Sequence, residues 1–225
     1  MSLLSMPFPF KAWRRQERFP DFLWTLFFLG LALLLYGVNL GGPMLRDWDE
    51  GTVAQVAREI GRSPQFSGFW HPTLFGQPYG NKPTLVHGLA AIAYHFGGVT
   101  EAMARLPSAL LTAISVPLLY GVQRQLHPTR LPAVLGTMVY LTLLPVVRQG
   151  RMAMLDGAIL CFGVLTLGCA LRSRRDTRWA WGFGLGIGLM CLAKGILGLL
   201  LGALVLVFLV WDTPRLGDRP GFGAA

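Results

Sequence analysis

The chain has 225 residues, of which 53% are hydrophobic and only 14% charged, with a mean hydropathy of +0.49. That balance argues against a soluble enzyme, a disordered tail and a coiled coil, and at roughly 20 apolar residues per membrane helix it sets a ceiling of about six spans. Twenty Lys and Arg face eleven Asp and Glu, a net charge of +9, which suits the positive cytoplasmic loops of a membrane protein better than a nucleic-acid partner.

In chain order, a basic tail over 1–21 leads into the uncharged run 22–38. No small-x-small cleavage site follows it in YGVNLGGPML, so it reads as a retained signal anchor. A long polar segment, 39–105, comes next. Five further apolar runs, Leu106–Val122, Leu131–Val147, Gly157–Leu171, Trp179–Ala193 and Gly195–Trp211, make 106–211 a five-helix membrane bundle, and 212–225 form a second cytoplasmic tail. The weaker stretch Pro83–Gly97 carries His87, Tyr94 and His95. If it does not span, cytoplasmic segments hold twelve of the twenty Lys and Arg; if it spans, they hold eight. The positive-inside rule favours the first, with LRSRRDTR weighing most, and leaves 39–105 as one large outer loop. The expected fold is an all-α integral membrane protein of about six transmembrane helices, with short interfacial helices in that loop.

The loop opens with RDWDEGTVAQVAREIGR, where Val53, Val56, Ala57 and Ile60 recur at helical spacing and Arg58 and Glu59 fall off the stripe. Asp49 or Asp47 falls at the N-cap, so each reads equally well as a cap or as a base. Adjacent Asp49 and Glu50 diverge by about 100° on a helix, which disfavours a close carboxylate dyad. In FGQPYGNKPTL, Lys82 lies in a Gly/Pro-rich turn; a lone interfacial lysine usually snorkels, but this one reaches the level of lipid phosphates. VVRQGRMAMLDGAIL brings Arg148, Arg151 and Asp156 to the membrane boundary, where Arg151 has an ordinary role in pairing a nearby carboxylate. Lys194 is a single cation in a long apolar stretch, marking a turn or facing a polar cavity. All of these face the outer side in the preferred topology. Acids beside cations there suit a reaction at a lipid phosphate.

Cys161, Cys169 and Cys191 lie in apolar runs and read as packing residues. WGFGLGIGLM offers two overlapping small-xxx-small pairs, Gly182 with Gly186 and Gly184 with Gly188, for close helix contact. Walker, HExxH, GxSxG and EF-hand patterns are absent from the sequence.

The ordered landmarks DWDEGTVAQVAREI, YGNKPTL, ARLPSALLT, GRMAMLDG and LAKGILGLL, over residues 44–202, resemble the polyprenyl-phosphate-sugar-dependent GT-C glycosyltransferases of the protein O-mannosyltransferase and aminoarabinose transferase group. The resemblance implies an outer-face active site in a bacterial inner or plasma membrane. It also implies a polyprenyl-phosphate-linked sugar as donor, a lipid, glycan or protein hydroxyl as acceptor, and membrane lipids as surroundings, with no nucleic acid. By the same resemblance Asp49 is the catalytic base, Asp156 a second acid and Lys82 the donor-phosphate ligand; Glu50, adjacent to Asp49, joins the catalytic group, and Lys194 and Arg151 join Lys82 at the phosphate on the strength of their charge. Tyr79 and Asn81 line the pocket. Asn81 stands where many aminoarabinose-type members carry Glu, which gives a divalent metal weak support, and Thr52 where they carry Arg. Family members typically continue with more spans, so the chain corresponds to the catalytic-looking N-terminal portion. The rival readings are a non-catalytic module that binds lipid-linked sugar, or a small transporter using the same intramembrane charges.

Overall fold

The computed structural model describes residues 18–46, 48–174 and 176–211. Asp47, most of the basic tail and the segment 212–225 lie outside the described residues. Among the described residues nine α-helices follow in order: α1 Arg18–Gly37, α2 Asp49–Arg62, α3 Leu85–Gly97, α4 Glu101–Leu126, α5 Arg130–Thr142, α6 Leu144–Gly150, α7 Asp156–Ser173, α8 Trp179–Lys194 and α9 Ile196–Trp211. A 3₁₀ turn, Pro64–Phe69, and a two-residue β-hairpin, Thr73–Leu74 with Gln77–Pro78, interrupt the helical pattern between α2 and α3.

All six apolar runs are helical. α1, α4 and α7 are long and apolar enough to cross a membrane. The run Leu131–Val147 is not one helix: α5 and α6 meet at 54°, because Pro145 opens α6 and has no N–H to continue the ladder. α8 and α9, at 16 residues each, are about 24 Å long against a hydrocarbon core of about 30 Å. The Pro83–Gly97 segment gives the 13-residue α3.

α4 is the central post. α1 packs along it through Phe28, Ala32, Tyr36, Ala113, Val116 and Tyr120, and α7 crosses it where Gly150 and Gly157 admit Thr112 and Ser108. A Cβ on Gly157 would lie 2.5 Å from the Ser108 carbonyl oxygen. α8 packs on α7 through one of the two expected glycine pairs only. A Cβ on Gly182 would meet Cys169 Sγ at 2.8 Å and one on Gly186 would collide with Thr166 Oγ1, whereas Gly184 and Gly188 face open space. Cys161 and Cys169 are buried in this packing, and Cys191 is half-buried.

At the start of α1, buried Asp21 accepts hydrogen bonds from the Tyr120 hydroxyl at 2.7 Å and Arg124 Nε at 3.0 Å, both on α4, and from Arg130 Nε of α5 at 3.0 Å. α1 rises about 30 Å over its 20 residues, so this cluster and the loop after α1 lie at opposite ends of the bundle.

In the first loop, α2 buries Val53, Val56, Ala57 and Ile60 against α3, as its spacing predicts. Glu59 leaves that stripe to hold the hairpin. Its carboxylate accepts from the Thr73 hydroxyl at 2.5 Å and from the Phe75 and Gly76 amides at 2.7 and 3.3 Å. Phe75 and Gly76 both have positive φ, 54° and 75°, as a two-residue turn of this kind requires. Phe75 has no side-chain chemistry suited to that conformation, and the Glu59 carboxylate stabilises it instead.

Candidate active site

The start of α2 separates two acids. Trp48, not Asp49, occupies the cap position, with φ 73° and no side-chain capping bond. The capping role is therefore withdrawn for Asp49, and Asp47 lies outside the described residues. Trp48 is held in this left-handed conformation by Thr52, whose amide donates to the Trp48 carbonyl at 3.1 Å and whose hydroxyl does the same. Asp49 sits in the first helical turn, where the helix dipole favours its negative charge. It is exposed and makes no hydrogen bond or ion pair with a described residue.

Glu50 points the other way and is 1% exposed. Arg105, at the start of α4, grips it through Nε at 2.8 Å and Nη2 at 2.9 Å. The Ala153 and Arg46 amides donate to it at 2.8 and 3.0 Å. Burial pushes the Glu50 pKa up, but Arg105 and the two amides outweigh that and hold it below the ordinary 4.5. The remaining Arg105 N–H groups bind the carbonyls of Leu40, Pro43 and Met44 at 2.7, 2.7 and 2.9 Å. With both oxygens occupied, Glu50 is shaped to anchor the loop after α1 to α4 and to the turn before α7. Arg105, only counted as a charge in the sequence, is the residue that makes this possible; its position in ARLPSALLT was the available signal.

On the Asp49 side, Tyr79 is buried, with its amide donating to Pro72 at 2.8 Å. Burial raises the Tyr79 hydroxyl pKa, and the nearby Asp49 charge raises it further. The Tyr79 ring meets the edge of His87 at 5.8 Å. His87, which the sequence offers only as a polar blemish in an apolar segment, is fully buried, with Nδ1 3.1 Å from the Pro83 carbonyl and Nε2 unpartnered. Burial pushes its pKa down to about 4; the Pro83 carbonyl opposes this and the Lys82 charge adds to it. Asn81 and Lys82 occupy the turn before α3, Asn81 exposed and Lys82 half-buried.

That turn adjoins the break between α8 and α9. A Cβ on Gly195 would lie 3.8 Å from Pro83 Cγ, and Gly195 reverses the chain at φ 62°, a conformation open to glycine. Lys194, the last residue of α8, thus marks a turn, and its Nζ is 2.6 Å from Asp156 Oδ1, the first residue of α7. The pair is about one-third exposed on each side, 32% and 31%. A cation at a helix C-terminus and an acid at a helix N-terminus both complement the helix dipoles. The charge of Asp49 reaches Tyr79, Tyr79 meets His87, His87 meets Pro83 next to Lys82, and Pro83 adjoins Gly195 next to the Lys194–Asp156 pair. Arg151 goes elsewhere: it donates to the Val38 carbonyl at the end of α1 and lines a cleft on the Glu50 side. Among the described residues no three of His, Cys, Asp and Glu form a group that could hold a metal.

The fold is that of a multi-pass GT-C membrane glycosyltransferase. It matches the crystal structures of ArnT from Cupriavidus metallidurans, in the apo state and bound to undecaprenyl phosphate, each with a TM-score of 0.73 at 22% identity, over 85% and 84% of this chain and 36% and 35% of that one. Residues 24–218 match the model of the dolichyl-phosphate-mannose-protein mannosyltransferase family, and the chain belongs to that family. Among its relatives are undecaprenyl phosphate-alpha-4-amino-4-deoxy-L-arabinose arabinosyl transferases from Sodalis glossinidius, 28% identical over 90% of this chain and 37% of that protein, and from Pseudomonas fluorescens, 30% identical over 89% and 35%. The chain spans just over a third of the length of these relatives.

Proposed function

We propose that this chain carries the donor-side catalytic residues of a glycosyltransferase that moves a sugar from a polyprenyl phosphate to an acceptor hydroxyl on a lipid, glycan or protein. The observation that carries the reading is the Asp49 carboxylate, without a partner among the described residues, whose charge reaches Tyr79, while Pro83 next to Lys82 adjoins Gly195 next to the Lys194–Asp156 pair. The family match and the naming of relatives as undecaprenyl phosphate-alpha-4-amino-4-deoxy-L-arabinose arabinosyl transferases support it.

Asp49 takes the proton of the acceptor hydroxyl as that oxygen attacks the anomeric carbon. The bond from that carbon to the lipid phosphate oxygen breaks, its electron pair stays on the phosphate, and the centre inverts. Lys82 and Lys194 stabilise the charge developing on the departing phosphate, and Asp156 holds the Lys194 ammonium in place. Glu50 shapes the loop and takes no part in proton transfer. In the topology favoured by charge, this end of the bundle faces the outer side of a bacterial inner membrane.

The test is transfer from radiolabelled polyprenyl-phosphate sugars by the purified chain, with donor binding measured alongside. Asp49→Asn should lower transfer by about 10²–10⁴-fold with donor binding retained. Full transfer by Asp49→Ala would remove Asp49 as the base, and donor binding without transfer by the parent chain would leave a binding module.

A further inference from the structure

On the Glu50 side of α2 lies a second cationic feature. A cleft of about 370 Å³ is lined by Arg46, Arg105, Arg148 and Arg151, with Glu50 as the acid among its lining residues. Arg105 neutralises Glu50 and spends its other donors on the loop carbonyls of residues 40, 43 and 44. Arg151 is engaged by the Val38 carbonyl. Arg46 and Arg148 are exposed, and their guanidinium groups meet no acceptor among the described residues. Among the described residues, three arginine charges thus line the cleft with no carboxylate beyond the Arg105-bound Glu50.

The surroundings are apolar. Leu40, Pro43, Met44, Leu144 and Val147 share the lining, and Val38, Met44, Leu143 and Leu144 are exposed at 56, 88, 47 and 72%. The cleft lies where α1 ends and where the chain bends between α5 and α6. Two apolar helices therefore stop at the level at which the arginines begin. That is the profile of a phospholipid at a bilayer surface: planar guanidinium forks suit phosphate oxygens, and apolar side chains below them suit an acyl chain.

We infer that this cleft binds the phosphate of an anionic membrane phospholipid, separately from the sugar donor. The lipid phosphate would lie between Arg46, Arg148 and Arg151, with its acyl chains along the exposed side chains of α1 and α6. Because Arg105 and Glu50 form the floor, an occupied cleft would brace the same loop that leads into Asp49. The inference rests on reading this end of the bundle as headgroup level; the test is run in detergent micelles, so it depends neither on which leaflet this end faces nor on transfer activity.

Native mass spectrometry of the purified full chain, with phosphatidylglycerol or phosphatidylcholine added, should show selective retention of phosphatidylglycerol. Arg46→Gln and Arg148→Gln should each weaken retention about fivefold, as expected for one interfacial cation, and Arg148→Lys should recover part of it. Both arginines are exposed and their guanidinium groups meet no acceptor among the described residues, so these variants should unfold at the parent's temperature. Asp49→Asn should retain phosphatidylglycerol fully, which separates this site from the catalytic reading. Equal retention of the two lipids, or undiminished retention by both glutamine variants, would overturn the inference. Displacement of phosphatidylglycerol by inorganic phosphate would make the cleft a free-anion site. Selective loss of undecaprenyl phosphate in Arg148→Gln would assign it to the donor; either result also overturns it.

Discussion

Replacing Glu50 with Gln separates an anchoring carboxylate from a catalytic one. Each Glu50 oxygen receives two N–H groups: Oε1 those of Arg105 Nε and Ala153, Oε2 those of Arg105 Nη2 and Arg46. A carboxamide keeps one oxygen and turns the other into a donor, so whichever way it sits, one arginine N–H and one amide lose their acceptor. Losing a bond to a charged group costs about 1.5–3 kcal/mol and losing one to an amide about 1 kcal/mol. Arg105, 5% exposed, is also left without its counter-ion, which places the total at about 3–5 kcal/mol. Thermal unfolding and SDS-titrated unfolding of the purified chain should both show that loss. The pH dependence has a definite sign. Because the folded pKa of Glu50 lies below 4.5, its contribution is complete above that value and is lost as pH falls through the lowered one; the gap between variant and parent should close with acidification. A Glu50→Gln protein as stable as the parent at neutral pH, yet inactive in transfer, would refute the anchoring role and return Glu50 to the catalytic group.

Lys194→Met should leave stability nearly unchanged, since a pair about one-third exposed is worth about 0–1 kcal/mol. Its transfer activity should nevertheless fall about 10²–10³-fold, and parallel melting and transfer measurements distinguish the two effects. Glu59→Gln should accelerate hydrogen exchange at the Phe75 and Gly76 amides. Its lowered pKa reflects burial, which raises it, outweighed by the bonds from Thr73, Gln55 and those amides, so the difference should vanish as pH falls below 4.5 and through the depressed value. Gly157→Ala drives a methyl against the Ser108 backbone and should cost about 1–3 kcal/mol, whereas Gly188→Ala, in open space, should be neutral or stabilising by about 0.5–1 kcal/mol; unfolding midpoints of the two variants provide the comparison.

The apolar runs were legible because a membrane helix announces itself by composition within one window. The break inside Leu131–Val147 was signalled by Pro145, but a run without charges concealed it. Divergence of Asp49 and Glu50 followed from helical geometry, and the Lys194 turn from the cost of a lone cation. What sequence could not supply were pairings across distance. Arg105 is 55 residues from Glu50, and Lys194 is 38 from Asp156, separations with no periodicity to read. The same limit explains Arg151, whose partner is a backbone carbonyl rather than the nearby carboxylate its spacing suggests. Both glycine pairs in α8 satisfied the same spacing rule; only the neighbouring helix decides which one is used.

The buried Asp21 has a consequence for biogenesis. Arg124 lies 103 residues further along the chain and Arg130 lies 109, so at about 5–20 residues per second a ribosome needs roughly 5–20 s to deliver the first of these counter-ions after Asp21 is made. During that interval α1 carries Asp21 without the Tyr120, Arg124 and Arg130 groups that bind it in the folded bundle. The partners of Asp21 lie on α4 and α5, so this end of the bundle closes once the central post has been made.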